Sequence, residues 1–269
     1  MRALQYNTHL FLNSGLGFNG CLCQDSVRLE VMKERILGGE YDIVGLTEVW
    51  ANSSKLRLAA GLASKYPHGA WDGNRDIFEV GSGLLLLSRL PVSRTSFTRY
   101  RHLAGADALS QKGFLFATID DTLVVHTHMQ SGESPADVAA RRSNIQELTE
   151  ALAAQPYNMP ILLIGDLNVV GETAEYAFLT EKMSRLGFTD TYRALRPSEP
   201  GYTYDAVTSK MIHLFNAEDV EGRVQQRLEY LFVREMTPAA ADVDHSFMYA
   251  SPRGDMDLSD HYPLEAAFV

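Results

Sequence analysis

The sequence predicts an α/β protein in which two mixed β-sheets pack face to face with helices outside. Three observations lead there. Short aliphatic runs of strand length recur along the chain, among them Ile43–Leu46, Leu84–Ser88 and Ile161–Ile164. They are apolar at nearly every position, as strands buried on both faces require. Segments of helical periodicity alternate with these runs irregularly and hairpins are mixed in, so no regular βαβ repeat develops. No Gly-rich phosphate loop follows any strand. That mixture fits two sheets sharing one core under a covering of helices.

The elements follow in order. Residues 2–7 open the chain as a strand and lead into a Gly/Asn-rich loop, Asn13–Gly20. Asp25 or Ser26 can cap a helix with apolar positions Val27, Val31, Ile36 and Leu37, stopped by Gly38-Gly39. Asp42–Leu46 is a second buried strand, residues 53–65 a helix, and Tyr66–Gly69 a loop. Leu84–Ser88 is a further strand, closed by Leu90-Pro91. Phe114–Ile119 and Thr122–Thr127 flank Asp120-Asp121 as a hairpin with a two-residue turn. In Ser134-Pro135-Ala136-Asp137, Ser is an N-cap, Pro takes the first helical position and an acid stands three residues after the cap. Val138, Ile145, Leu148 and Leu152 form the buried stripe of that helix, which breaks at Pro156. Residues 173–186 read as a helix ending at Gly187, and Leu228–Val233 and Pro263–Phe268 as late strands.

With 269 residues and 45% hydrophobic content the chain can bury a large core. No linker, repeat or low-complexity tract divides it, so residues 1–269 read as one domain. Lys and Arg number 24 against 34 Asp and Glu, a net charge of −10, with no basic run beyond Arg141-Arg142. This balance offers no electrostatic footprint for a polyanion and speaks against duplex nucleic acid as the main partner. Cys21 and Cys23, one residue apart, make an awkward intrachain disulfide and complete no zinc set, so they read as free thiols. The chain starts almost directly in a core-like strand, without a signal peptide or membrane-spanning run. The compartment stays open: as written the chain reads as cytoplasmic, and a secreted form whose leader has been removed is the alternative.

The stretch that organises the rest is Ile161–Asn168, ILLIGDLN. Asp166 and Asn168 leave the end of a rigid strand at i and i+2 spacing, hence on one side. Alone, they could equally be turn residues. Three other strand-like segments end in the same polar manner: ALQYNTH at 3–9, IVGLTEVW at 43–50 and LVVHTHMQ at 123–130, with Ser259-Asp260-His261 near the C-terminus. Glu48 follows an apolar run, and a carboxylate at a buried strand end needs a charge partner. A hard cation with oxygen ligands, such as Mg²⁺, supplies one. Asn7 reads either as a neighbour of that cation or as a cap of the loop after it. His126 and His128 share one face of their strand. On the residues alone, Asp260-His261 could be a plain surface pair.

The ordered set N-T-H, L-T-E-V, T-H-M-Q, G-D-L-N and S-D-H resembles the endonuclease/exonuclease/phosphatase superfamily of metal-dependent phosphoesterases, from residue 4 to 268. The resemblance implies a four-layered α/β sandwich and a catalytic set. Glu48 would be the central Mg²⁺ ligand with Asn7 beside it. His261 would be the general base, with a carboxylate holding its ring and Asp260 grouped with it. Asp166 would orient the water or the base, and Asn168 would donate to a phosphoryl oxygen. The T-H-x-Q register picks His128 for phosphate stabilisation or leaving-group protonation, leaving His126 as a packed strand residue. His9, His68, His102, His213 and His245 read as structural or solvent-exposed. Glu229 stands where family members usually carry Asp, so its carboxylate is displaced by a methylene.

Three further stretches resemble neutral sphingomyelinases: Asp107–Ile119 with its Lys112-Gly113, Gly201–Asp205 (GYTYD) and Ser82–Pro91 (SGLLLLSRLP). They imply a Mg²⁺-dependent, phospholipase-C-like enzyme at a membrane surface, releasing phosphocholine from sphingomyelin and leaving ceramide. Lys112, Tyr204 and Asp205 would contact that lipid; on the residues alone, Tyr202 and Tyr204 are ordinary strand packing. The alternatives are a nuclease or other phosphoesterase of the same fold, which the acidic balance disfavours, and a non-catalytic lipid- or partner-binding member.

Overall fold

The computed structural model describes residues 1–11, 24–72, 81–251 and 254–269. Cys21, Cys23 and the loop Asn13–Gly20 lie outside the described residues. In chain order the strands are β1 (Arg2–Leu10), β2 (Ile43–Val49), β3 (His68–Ala70), β4 (Leu85–Ser88), β5 (Val92–Arg99), β6 (Gly113–Ile119), β7 (Thr122–His128) and β8 (Ile161–Asp166). They continue with β9 (Thr189–Asp190), β10 (Tyr204–Asp205), β11 (Gln225–Gln226), β12 (Glu229–Arg234), β13 (Pro238–Val243), β14 (Met248–Ser251), β15 (Gly254–Asp257) and β16 (Leu264–Phe268). Two six-stranded sheets run β13-β16-β1-β2-β4-β3 and β5-β6-β7-β8-β12-β9. Each is antiparallel except for one central parallel pair, β1 with β2 and β7 with β8.

Strand alternation distributes the aliphatic runs between layers. On β8, Leu162 and Ile164 enter the core between the sheets, where they meet Ile43, Leu86 and Val124. Ile161 and Leu163 turn outward to Ile145, Leu148, Leu179 and Met183, which belong to the helices Pro135–Ala153 and Ala174–Arg185. On the other sheet, Leu4, Val44 and Leu46 pack against Leu29, Met32 and Leu58 of the helices Asp25–Gly38 and Asn52–Leu62. The result is the helix–sheet–sheet–helix sandwich that the resemblance implied.

Local chemistry sets the boundaries. Ser134 and Asp137 form a reciprocal capping box with Pro135 just inside the helix. Asp25 is not an N-cap. It is the first helical residue, and its carboxylate pairs with Arg28 at 2.6 Å and accepts from the Phe11 amide at 2.7 Å. The second helix ends at Leu62 rather than residue 65, and His68 begins a short strand where a loop was expected. The edge strand β5, VSRTSFTR, is mostly exposed and carries no apolar run, so periodicity does not reveal it. The outer strand β13, PAAADV, is hidden for the same reason.

Two glycines mark close approaches. A Cβ on Gly45 would lie 2.4 Å from Ile164 Cδ1, where the sheets meet across the core. A Cβ on Gly165 would lie 2.2 Å from the Thr127 carbonyl oxygen, in the parallel pair β7–β8. Gly165→Ala must push these central strands apart and should lose about 1–3 kcal/mol, read as a lower urea midpoint. Gly38→Ala, with nothing within 4 Å of the new methyl, should gain about 0.4–1 kcal/mol. Equal midpoints for the two variants would contradict this packing.

Candidate active site

The carboxyl ends of the two central parallel pairs meet at one rim of the sandwich. There β1 delivers Asn7 and His9, β2 Glu48, β7 His128, and the end of β8 Asp166 and Asn168. Asn7 Nδ2 donates to Asp166 Oδ2 at 2.8 Å, a buried hydrogen bond from one sheet to the other. His128 and Asp166 sit opposite each other in the parallel register, with His128 Nε2 at 3.6 Å from Asp166 Oδ2. Because β12 runs antiparallel to β8, its first residue, Glu229, is opposite Asp166 at the same rim. The turn before β16 adds Asp260 and His261, and a β-bridge ties His261 to Tyr204.

Three of these strand ends turn through the left-handed region: His9 at φ 48°, Glu48 at φ 58° and Asn168 at φ 51°. Such a conformation costs of order 1–3 kcal/mol for a residue with a side chain and persists only where the surroundings impose it. At His9 and Asn168 local hydrogen bonds supply the constraint. The His9 amide donates to Asn7 Oδ1 at 3.1 Å and the Asn168 amide to Asp166 Oδ1 at 2.9 Å. Asn168 Nδ2 donates to the Met129 carbonyl at 3.1 Å.

His261 is held by Glu229, whose Oε1 lies 2.7 Å from Nδ1. Burial alone would lower the His261 pKa, but Glu229, Asp260 and Asp166 outweigh it and hold the ring well above the usual histidine range. Burial pushes Glu229 and Asp166 upward, and His261 opposes the shift in both. Asp260 does not hold His261. Its Oδ2 lies 3.2 Å from His9 Nδ1, and although burial would raise its pKa, His9 and His261 hold the carboxyl below the usual range. His9, expected to be structural or solvent-exposed, is thus a buried wall of the site, stacked on Phe215 at 4.9 Å. The i, i+2 spacing of Asn7 and His9 repeats that of Asp166 and Asn168, which is the clue that could have found it.

The two hairpin histidines separate. His126 is fully buried behind the site, its pKa lowered to about 3 by desolvation and by Lys55. His128 lies beside Trp50 and is held well below the ordinary range by burial, Lys112 and His261, so it is neutral. Lys112 and Asp205 are not brought to the cleft. Lys112 is buried with Nζ on Asp107 Oδ2 at 2.8 Å and the Met129 carbonyl at 3.1 Å. Asp205 Oδ1 accepts from the Val207 amide and from Gln225 Nε2, and its side chain lines a different hollow with Gly201 and Tyr202. Tyr204 does line the cleft, a cavity of about 380 Å³ shared with Glu48, Asp166, Asn168, Asp219 and His261.

A divalent cation matches this donor set. Glu48, His128 and Asp166 each bring a ligand atom within 4.8 Å of the others. Among the described residues Glu48 Oε2 and both His128 ring nitrogens are buried without a hydrogen-bond partner, the His9 ring lying 3.8 Å from that Glu48 oxygen. Two carboxylates converging with an orphaned oxygen are what a hard, oxygen-preferring ion requires.

Residues 5–261 match the model of the Endonuclease/Exonuclease/phosphatase family. The chain belongs to that family. Its members are phosphoesterases, and this chain is a phosphodiesterase of the same kind. A sphingomyelinase C from Listeria ivanovii is 26% identical over 263 residues, covering 83% of this chain and 74% of the relative. Among solved structures, a variant of beta toxin from Staphylococcus aureus with bound magnesium ions superposes with a TM-score of 0.77 at 18% identity, covering 98% of both chains. D. rerio TDP2 complexed with a single-stranded DNA product has the same fold, with a TM-score of 0.75 at 16% identity over 100% and 98% of the chains.

The Glu229–His261 contact predicts an NMR titration. Glu229→Gln removes the nearest negative charge, so the His261 pKa should fall by at least about one unit. Glu229→Asp keeps the charge and should leave the pKa much closer to the parent value. An unchanged pKa in Glu229→Gln would contradict the assigned partner.

Proposed function

We propose that this phosphodiesterase is a Mg²⁺-dependent sphingomyelinase that cleaves on the phospholipase-C side, releasing phosphocholine and leaving ceramide. The observation that carries the chemistry is the convergence of Glu48, Asp166 and neutral His128 around an unsatisfied carboxylate oxygen. The relationship to sphingomyelinase C over most of both chains supports the substrate.

Glu48 and Asp166, with His128 and Asn7 beside them, would hold the cation. When bound, it would draw charge from the phosphoryl oxygens and help position the diester. With Nδ1 committed to Glu229, His261 presents Nε2 to the cleft. There it takes the proton of a water attacking phosphorus, while the bond to the ceramide oxygen breaks and that oxygen is protonated from the wet cleft. Asn168 and uncharged His128 donate hydrogen bonds to the phosphoryl oxygens as charge builds. His261 must be neutral to act, and its carboxylate neighbours raise its pKa, so turnover should fall on the acid side. Among the described residues no helix is long and apolar enough to cross a membrane.

A substrate panel tests the reading. With Mg²⁺, sphingomyelin should release phosphocholine, excess chelator should stop it, and added Mg²⁺ should restore it. Glu48→Gln and His128→Ala should each lose at least ~10²-fold in kcat with the fold intact. His126→Ala should act through stability instead. Efficient cleavage of plasmid DNA or phosphoinositides without turnover of sphingomyelin would overturn the substrate; full activity of metal-free protein would overturn the cation.

A further inference from the structure

The cleft has an unusual charge for a site that must accept a phosphodiester. Glu48, Glu133, Asp166 and Asp219 all line it, and no Lys or Arg does among the described residues. A cation at Glu48 and Asp166 accounts for two of these carboxylates. Glu133 is tied to Gln226 Nε2 at 2.9 Å. Asp219 is half-buried and held in place from one side. The Tyr204 hydroxyl donates to its Oδ2 at 2.5 Å and Asn216 Nδ2 to the same oxygen at 2.6 Å. No donor among the described residues reaches Oδ1.

We propose that Asp219, anchored by Tyr204 and Asn216, recognises a quaternary ammonium group on the substrate. The inference rests on the sphingomyelinase reading and names the residue that would select the choline head. A quaternary ammonium has no N–H to donate, so it is recognised by a carboxylate together with apolar or aromatic surface that its methyl groups can touch. Val224, Leu228 and Tyr204 line the same cleft and supply that surface. The anchor of this carboxylate also reaches the catalytic histidine. The Tyr204 ring that carries the Asp219 contact packs edge-on to His261, with centroids 5.3 Å apart. One side chain thus touches both groups: the Tyr204 hydroxyl holds the Asp219 carboxylate and its ring packs against the His261 imidazole. Asp205, the acid of the GYTYD stretch, is spent inside its own turn and leaves this duty to Asp219.

Two soluble substrates isolate the charge: p-nitrophenyl phosphocholine and p-nitrophenyl 3,3-dimethylbutyl phosphate, in which a neutral carbon replaces the nitrogen. With saturating Mg²⁺ the parent protein should favour the charged diester in kcat/KM by on the order of 10-fold. Asp219→Asn should bring that preference close to one, through KM for the charged substrate, and leave turnover of the neutral one unchanged. Tyr204→Phe, which removes an anchor but keeps the carboxylate, should give an intermediate preference, and Glu133→Gln should keep the parent value. An undiminished preference in a folded Asp219→Asn protein would overturn the proposal. So would equal losses on both substrates that extra Mg²⁺ repairs, since Asp219 would then hold a cation. A parent protein that hydrolyses only the neutral diester would instead refute the sphingomyelinase reading on which the proposal rests.

Discussion

The hydrogen bond from Asn7 to Asp166 is the contact on which the site depends. It joins the end of a central strand in one sheet to the end of a central strand in the other, at a rim where neither sheet alone carries a complete set of groups. Asp166 is buried, and an ionised carboxylate without partners there would be costly. The Asn7 amide and the Asn168 backbone N–H answer one oxygen each. What remains is the Glu48 oxygen without a hydrogen-bond partner beside Asp166, the pair that would attract a divalent ion in the proposed function. Packing between the sheets, through Leu162, Ile164, Ile43 and Leu86, holds the rim in register.

Around that contact the ionisable groups sort into pairs with different tasks. Glu229 holds His261, whereas Asp260 turns away to His9, so the two carboxylates nearest the C-terminal histidine are not redundant. His128 and His126 stay neutral for a common reason, burial, yet only His128 stands beside Asp166. The left-handed backbone at His9, Glu48 and Asn168 is local strain that the fold sustains where the chemistry is placed.

Much of the architecture was legible because layer membership follows from alternation along strands such as β8 and β4. The exposed strands β5 and β13 were not, since an edge strand with one solvated side has little apolar pattern to show. In the site, Asn7, Glu48, His128, Asp166 and Asn168 stood out because each closes a strand-like run, whereas His261, in the turn before the last strand, was marked only by the family resemblance. The Asp260–His9 pairing could not, because it joins the two ends of the chain. Lys112 is not at the cleft although its partner Asp107 lies in the same stretch: the resemblance implied a substrate contact, while burial and the ion pair turn the ammonium inward. Asp219 sits in no motif and is found only when the cleft is assembled.

If the two sheets supply one functional unit, Asn7 and Asp166 must be energetically coupled. A double-mutant cycle of Asn7→Ala, Asp166→Ala and the double variant, read as Mg²⁺ affinity by calorimetry, tests this most directly. Coupling of about 1–3 kcal/mol is predicted, with the double variant scarcely worse than the poorer single one. Losses that simply add would show that the two residues act separately and would contradict a site built on their contact.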